Sequence, residues 1–95
     1  MAKKYLNQKD YLIVEMSWRE YVGCTGRWSL CDGCGDAISE EAGYYVALTN
    51  EWLCENCMKA FLHSAPRRNH KDLKNERANW NKLVSKLRDM EVWDE

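Results

Sequence analysis

Histidine and proline are scarce in this 95-residue chain, which holds two of the first and one of the second. With only His63 and His70, a histidine-rich catalytic metal motif cannot be assembled. The lone Pro66 marks Ser64-Ala65-Pro66-Arg67-Arg68-Asn69 as the clearest linker, because proline disfavours helix at the residue before it. Neither a G-x-x-x-x-G-K-[ST] loop nor a G-x-G-x-x-G turn occurs, and there is no internal repeat or low-complexity tract. Near the start the longest apolar run is Leu12-Ile13-Val14, closed by Glu15, against the ~20 residues of a membrane span. The lysines at positions 3 and 4 have no apolar stretch behind them, so no secretory leader is expected. The expectation is a cytoplasmic protein with no membrane association, in a compartment where thiols stay reduced.

What is present fits one small folded domain. Hydrophobic residues make up 45% and charged residues 31%, and five Trp with five Tyr supply enough apolar surface to collapse. A chain this short buries a limited core, and such scaffolds often add a metal or disulfides. The five cysteines, in a reducing compartment, point to metal or redox chemistry first.

The formal net charge of -1 conceals two blocks. From Glu15 to Met58 the bases are Arg19 and Arg27, facing eight carboxylates. From Lys59 to Arg88 nine bases face only Asp72 and Glu76.

The β-branched and aromatic residues of 10–18 predict a strand, and Gly23 and Gly26 a loop over 19–30. Tyr44-Tyr45-Val46-Ala47-Leu48 and Glu51-Trp52-Leu53-Cys54 predict a hairpin turned at Thr49-Asn50, since Asn tolerates positive φ. Met58, Phe61 and Leu62 fall at helical spacing, predicting a short helix over 55–64. Leu73, Trp80 and Leu87 recur every seven residues, joined by Leu83 and Met90, and predict an amphipathic helix over about 70–92 with Asn69 as N-cap.

Cys31-Asp32-Gly33-Cys34 and Cys54-Glu55-Asn56-Cys57 are two C-x2-C pairs separated by nineteen residues. Two intervening residues let one tight turn aim two sulfurs at one ion, with Gly33 giving the turn its freedom and Gly35 helping the chain leave the metal. Two such pairs close a tetrahedral thiolate site, whose usual occupant is one structural zinc ion. Iron on four thiolates and a redox dithiol are the competing readings. Cys24, His63 and His70 stay outside the predicted ligand set of Cys31, Cys34, Cys54 and Cys57.

The order of knuckle, hairpin and C-x2-C opening a helix resembles the treble-clef zinc fingers, and more loosely the second half of a LIM domain, over residues 29–63. The chain departs from a full LIM domain in having one ligand set. The resemblance implies an α+β fold of treble-clef type, used mainly to bind other macromolecules. With it the chain divides into an N-terminal strand and loop over 1–28, a four-cysteine zinc finger over 29–65 and a C-terminal helix over 69–93.

An enzyme is not expected. Four thiolates leave no coordination position for an activated water, Glu40 and Glu41 are adjacent and diverge, and no serine stands in a nucleophile motif. Two binding readings remain. In the first, a small adaptor docks on a larger protein through Trp80, Leu83, Leu87 and Trp93, with the seven-residue spacing also suiting a homodimer; the bland alternative is that this face packs on the finger. In the second, Arg67, Arg68, Lys71 and Lys74 contact nucleic-acid phosphates, although mixed charge runs are more often solvated surface.

Overall fold

A computed structural model describes residues 2–25, 30–35, 43–65 and 73–94, without the side chains of Trp18, Cys24 and Thr25. Seven elements follow in order: β1 (Lys3–Lys4), β2 (Ile13–Met16), α1 (Trp18–Thr25), β3 (Gly43–Val46), β4 (Glu51–Leu53), α2 (Glu55–Ser64) and α3 (Leu73–Asp89). The strands form one antiparallel sheet in the order β1-β2-β3-β4. Its centre pairs Val14 with Tyr45, and its outer hairpin pairs Tyr45 with Trp52. Ile13 and Val14 point to opposite faces and neither has any exposed area, so both faces of the sheet centre are covered. This is why β2 and β3 read as apolar runs with little alternation.

The hairpin forms at the predicted place, but β3 ends at Val46, so Ala47 and Leu48 join Thr49 in a four-residue turn that closes on Asn50 at φ 55. Its side-chain oxygen accepts the Tyr45 hydroxyl at 2.6 Å. The helix predicted over 55–64 is α2, which packs on β3 and β4. Below it, Lys9 Nζ donates to the carbonyls of Leu62 and Ala65, placing a cation on the negative end of the helix.

Two expectations are corrected. The strand predicted over 10–18 is confined to Ile13–Met16, and part of the loop predicted over 19–30 is helix α1. The cause is a capping box: Glu20 N–H donates to Ser17 Oγ at 3.4 Å, and Ser17 N–H donates to Glu20 Oε1 at 2.9 Å. Tyr21 then reaches the core, where a Cβ on Gly43 would lie 2.6 Å from its ring.

The second correction is the end of the last helix, which stops at Asp89. Glu91 takes φ 60, and its N–H donates to Arg88 O at 2.9 Å while Val92 N–H donates to Leu87 O at 3.1 Å. This pair of bonds is a Schellman cap, with glutamate in the place glycine usually holds. Residues 92–94 then run beside Ala2, with Ala2 N–H to Val92 O and Asp94 N–H to Ala2 O both at 2.8 Å. Asn69, read as the N-cap, lies outside the described residues.

Two polar side chains of α3 fasten it to the sheet. Glu76, fully buried, accepts the Leu12 N–H at 3.1 Å, and Asn79 donates to Ala47 O at 2.8 Å. Among the described residues no helix is long and apolar enough to cross a membrane.

Candidate metal centre

The first C-x2-C pair sits in a tight turn that Gly35 N–H closes by donating to Cys31 O at 2.9 Å. Gly35 carries the left-handed backbone there, at φ 77. Gly33 has a different duty from the conformational one the sequence suggests. A Cβ at this position would lie 3.1 Å from Cys57 Sγ and 3.3 Å from Leu53 Cδ2, so the two halves of the site approach through the space glycine leaves.

The second pair comes from the hairpin and the helix. Cys54 is the N-cap of α2, with extended backbone and no side-chain capping bond. Its sulfur belongs to the cluster instead. Cys57 stands one turn into α2, near the helix N-terminus, whose partial positive charge favours a thiolate.

The four sulfurs of Cys31, Cys34, Cys54 and Cys57 all lie within 4.8 Å of one another. Tetrahedral Zn–S bonds of about 2.3 Å would put sulfurs about 3.8 Å apart. The Cys34–Cys54 separation is 3.9 Å, so the cluster needs little movement to close on an ion. None of the four is in a disulfide. Cys31 is buried and Cys34 exposed, which sets the centre at the protein surface with one sulfur rooted in the core.

The electrostatics distinguish the thiols. Burial pushes Cys31 up, but the backbone N–H groups of Cys34, Cys54 and Gly33 outweigh it and bring the thiol down to about 7. Two of these bonds, from Gly33 and Cys54 to Cys31 Sγ, are each 3.3 Å long. Cys57 is pushed up to about 12 by hydrogen bonding to the sulfurs of Cys31, Cys54 and Cys34. A cation held by the four sulfurs would take the place of their thiol protons. The donor set, all sulfur, suits soft or borderline ions and excludes the hard cations that oxygen ligands bind.

The knuckle is also pinned to the sheet. Asp32 N–H donates to Trp52 O, and Trp52 N–H donates to Asp32 Oδ2, both at 2.8 Å. Sequence reasoning placed Asp32 only as a spacer residue; a carboxylate inside a C-x2-C turn is the signal that could have drawn attention to it.

Other residues singled out in the sequence are placed as follows. His63 is exposed in the last turn of α2 and outside the sulfur cluster, while His70 and the Cys24 side chain lie outside the described residues. Leu83 and Leu87 are buried in the core, 7% and 0% exposed, so the stripe offers little of them to a partner. Trp80 and Trp93 are half-buried and meet edge to face at 5.5 Å. Lys74 is exposed on α3, and Arg67, Arg68 and Lys71 lie outside the described residues.

Comparison with protein-family models, with curated proteins and with solved structures found no match for this chain.

Proposed function

We propose that this is a non-enzymatic zinc-binding interaction module, in which one zinc ion on Cys31, Cys34, Cys54 and Cys57 ties the knuckle, the β3–β4 hairpin and α2 together. The observation that carries it is the convergence of four cysteine sulfurs within 4.8 Å of one another. Four protein ligands fill a tetrahedral zinc, so the ion's work is structural. The succession of knuckle, hairpin and ligand-bearing helix supports the treble-clef reading. Zinc binding contributes on the order of 10–16 kcal/mol of apparent free energy in such peptides, ample to order a small domain.

Docking on a larger protein remains the first partner reading. Its support is now the half-exposed Trp80–Trp93 pair together with Leu6 and Leu30, which are 80% and 54% exposed. Binding to nucleic acid is the second, supported by the two lysines that α3 sets beside the aromatic residues of the hairpin.

Native mass spectrometry of the purified chain tests the metal assignment and counts subunits together. One zinc per chain, lost in the Cys54→Ser variant, is the expected result. A folded chain without metal, or one carrying two disulfides, would overturn it.

A further inference from the structure

Between the hairpin and α3 lies a cavity of about 200 Å³. Drug-sized ligands fill about 300–1,000 Å³, so this one has room for a single ring system. Its hairpin wall holds Tyr45, Asn50 and Trp52, and its α3 wall holds Asn79, Lys82 and Lys86. The spacing of these last three, at i, i+3 and i+7, puts them on one face of the helix.

Each wall has a defined chemistry. Trp52 is half-buried and meets two rings, Tyr21 in a T-shaped contact and Tyr45 at a tilt, each with ring centroids 4.8 Å away. The indole is therefore a fixed aromatic platform. Asn79 spends one amide hydrogen on Ala47 O, and Asn50 uses its oxygen on the Tyr45 hydroxyl. Asn79 can still accept and Asn50 can still donate, the two functions that the edge of a base requires. Lys82 and Lys86 are exposed at the rim and supply positive charge.

We propose that this cavity seats one base of a single-stranded nucleic acid, with Lys82 and Lys86 on the flanking phosphates. An aromatic platform beside cations is how sequence-tolerant single-strand binding is built. The site differs from the Arg67, Arg68, Lys71 and Lys74 segment, and it rests on the nucleic-acid form of the interaction module proposed above. Trp52 also connects it to the metal centre, because Asp32 of the knuckle bonds the Trp52 backbone. Metal binding should thus steady the platform.

The test is fluorescence anisotropy of a labelled single-stranded oligonucleotide with the zinc-loaded chain, whose metal content is counted in the same sample. Binding should weaken with salt. Lys82→Glu and Lys86→Glu should each weaken it at least about tenfold, and each should lower the salt slope by about 0.7, the value for one single-strand phosphate contact. Arg77→Glu, an exposed charge reversal on the opposite side of α3, should change it by no more than about twofold. An abasic strand of equal length should bind at least about tenfold more weakly, since it offers nothing to stack. Zinc-loaded chain with no salt-dependent binding would sink this proposal and leave the metal module standing. Equal losses for Arg77→Glu and Lys82→Glu, or equal binding of the abasic strand, would also overturn it. Absence of zinc would count against the module itself.

Discussion

Asp32 and Trp52 hold each other by two 2.8 Å hydrogen bonds, one from each backbone N–H. This contact joins the turn that carries Cys31 and Cys34 to a sheet edge, and it makes the position of both cysteines depend on β4. Asp32→Ala should cost about 0.5–1.5 kcal/mol, because one bond is lost at an exposed site where water replaces it. Asp32→Asn keeps an acceptor and should lose less. Thermal melts of both variants check the ranking.

Gly33→Ala should weaken metal binding more than it weakens the fold. The new methyl would press on Cys57 Sγ at 3.1 Å and on Cys57 Cβ at 3.2 Å, both in the cluster. Competition with a chromophoric zinc chelator should report the loss. Unchanged affinity would mean that the knuckle shifts freely.

Removal of the metal should release the knuckle and the start of α2 before the sheet. Apart from the Asp32–Trp52 bonds and the buried Cys31, the ion would be the main tie between residues 31–34 and 54–57, whereas Ile13, Val14, Met16 and Val46 are all buried in the core. Hydrogen exchange after chelation is expected to rise first at those two segments. Uniform exchange throughout would show that the domain has no stability of its own without metal.

The metal-free chain should change stability with pH in two directions. Cys31 falls in the folded state from 9.0 to about 7, so the unfolded chain binds more protons between these values and stability rises with pH there. This contribution disappears as pH falls through about 7. Cys57 rises from 9.0 to about 12, so its effect is opposite and stability declines above 9. Melts of reduced, chelated protein from pH 6 to about 10 should pass through a maximum. Metal affinity should drop steeply on acidification, since protons compete for the sulfurs.

Glu91→Gly should stabilise the chain by about 0.5–1 kcal/mol. Glutamate at φ 60 is strained where glycine is not, and the Schellman bonds use only backbone atoms. A higher melting temperature with unchanged zinc content is the expected outcome.

Several features were legible because their signals are local. The hairpin around Thr49-Asn50 and the helix after Cys54 follow from turn chemistry and a change of period, and both stand in the structure, the turn widened to residues 47–50. The signal for helix α1 is equally local, since Ser17-Trp18-Arg19-Glu20 is a capping-box sequence, but the β-branched run before it and the glycines after it point to a strand and a loop. The end of α3 had no such signal. Nothing in Met90-Glu91-Val92 marks a left-handed residue, and glutamate takes that conformation where residues 92–94 turn to run beside Ala2.

By itself the sequence determined the sulfur chemistry, since two C-x2-C turns carry their ligand spacing along the chain. It also determined the hairpin and the short helix that present the second pair. Tertiary structure decided which apolar residues remain on the surface. Leu83 and Leu87 share a helical stripe with Trp80, yet the first two are buried in the core and Trp80 ends half-exposed against Trp93. It also brought Lys82 and Lys86 to the aromatic wall of a hairpin far earlier in the chain. Periodicity names the face of a helix; only the packing of that face against the sheet, with Glu76 and Asn79 bonded to its backbone, determines how far the face is covered.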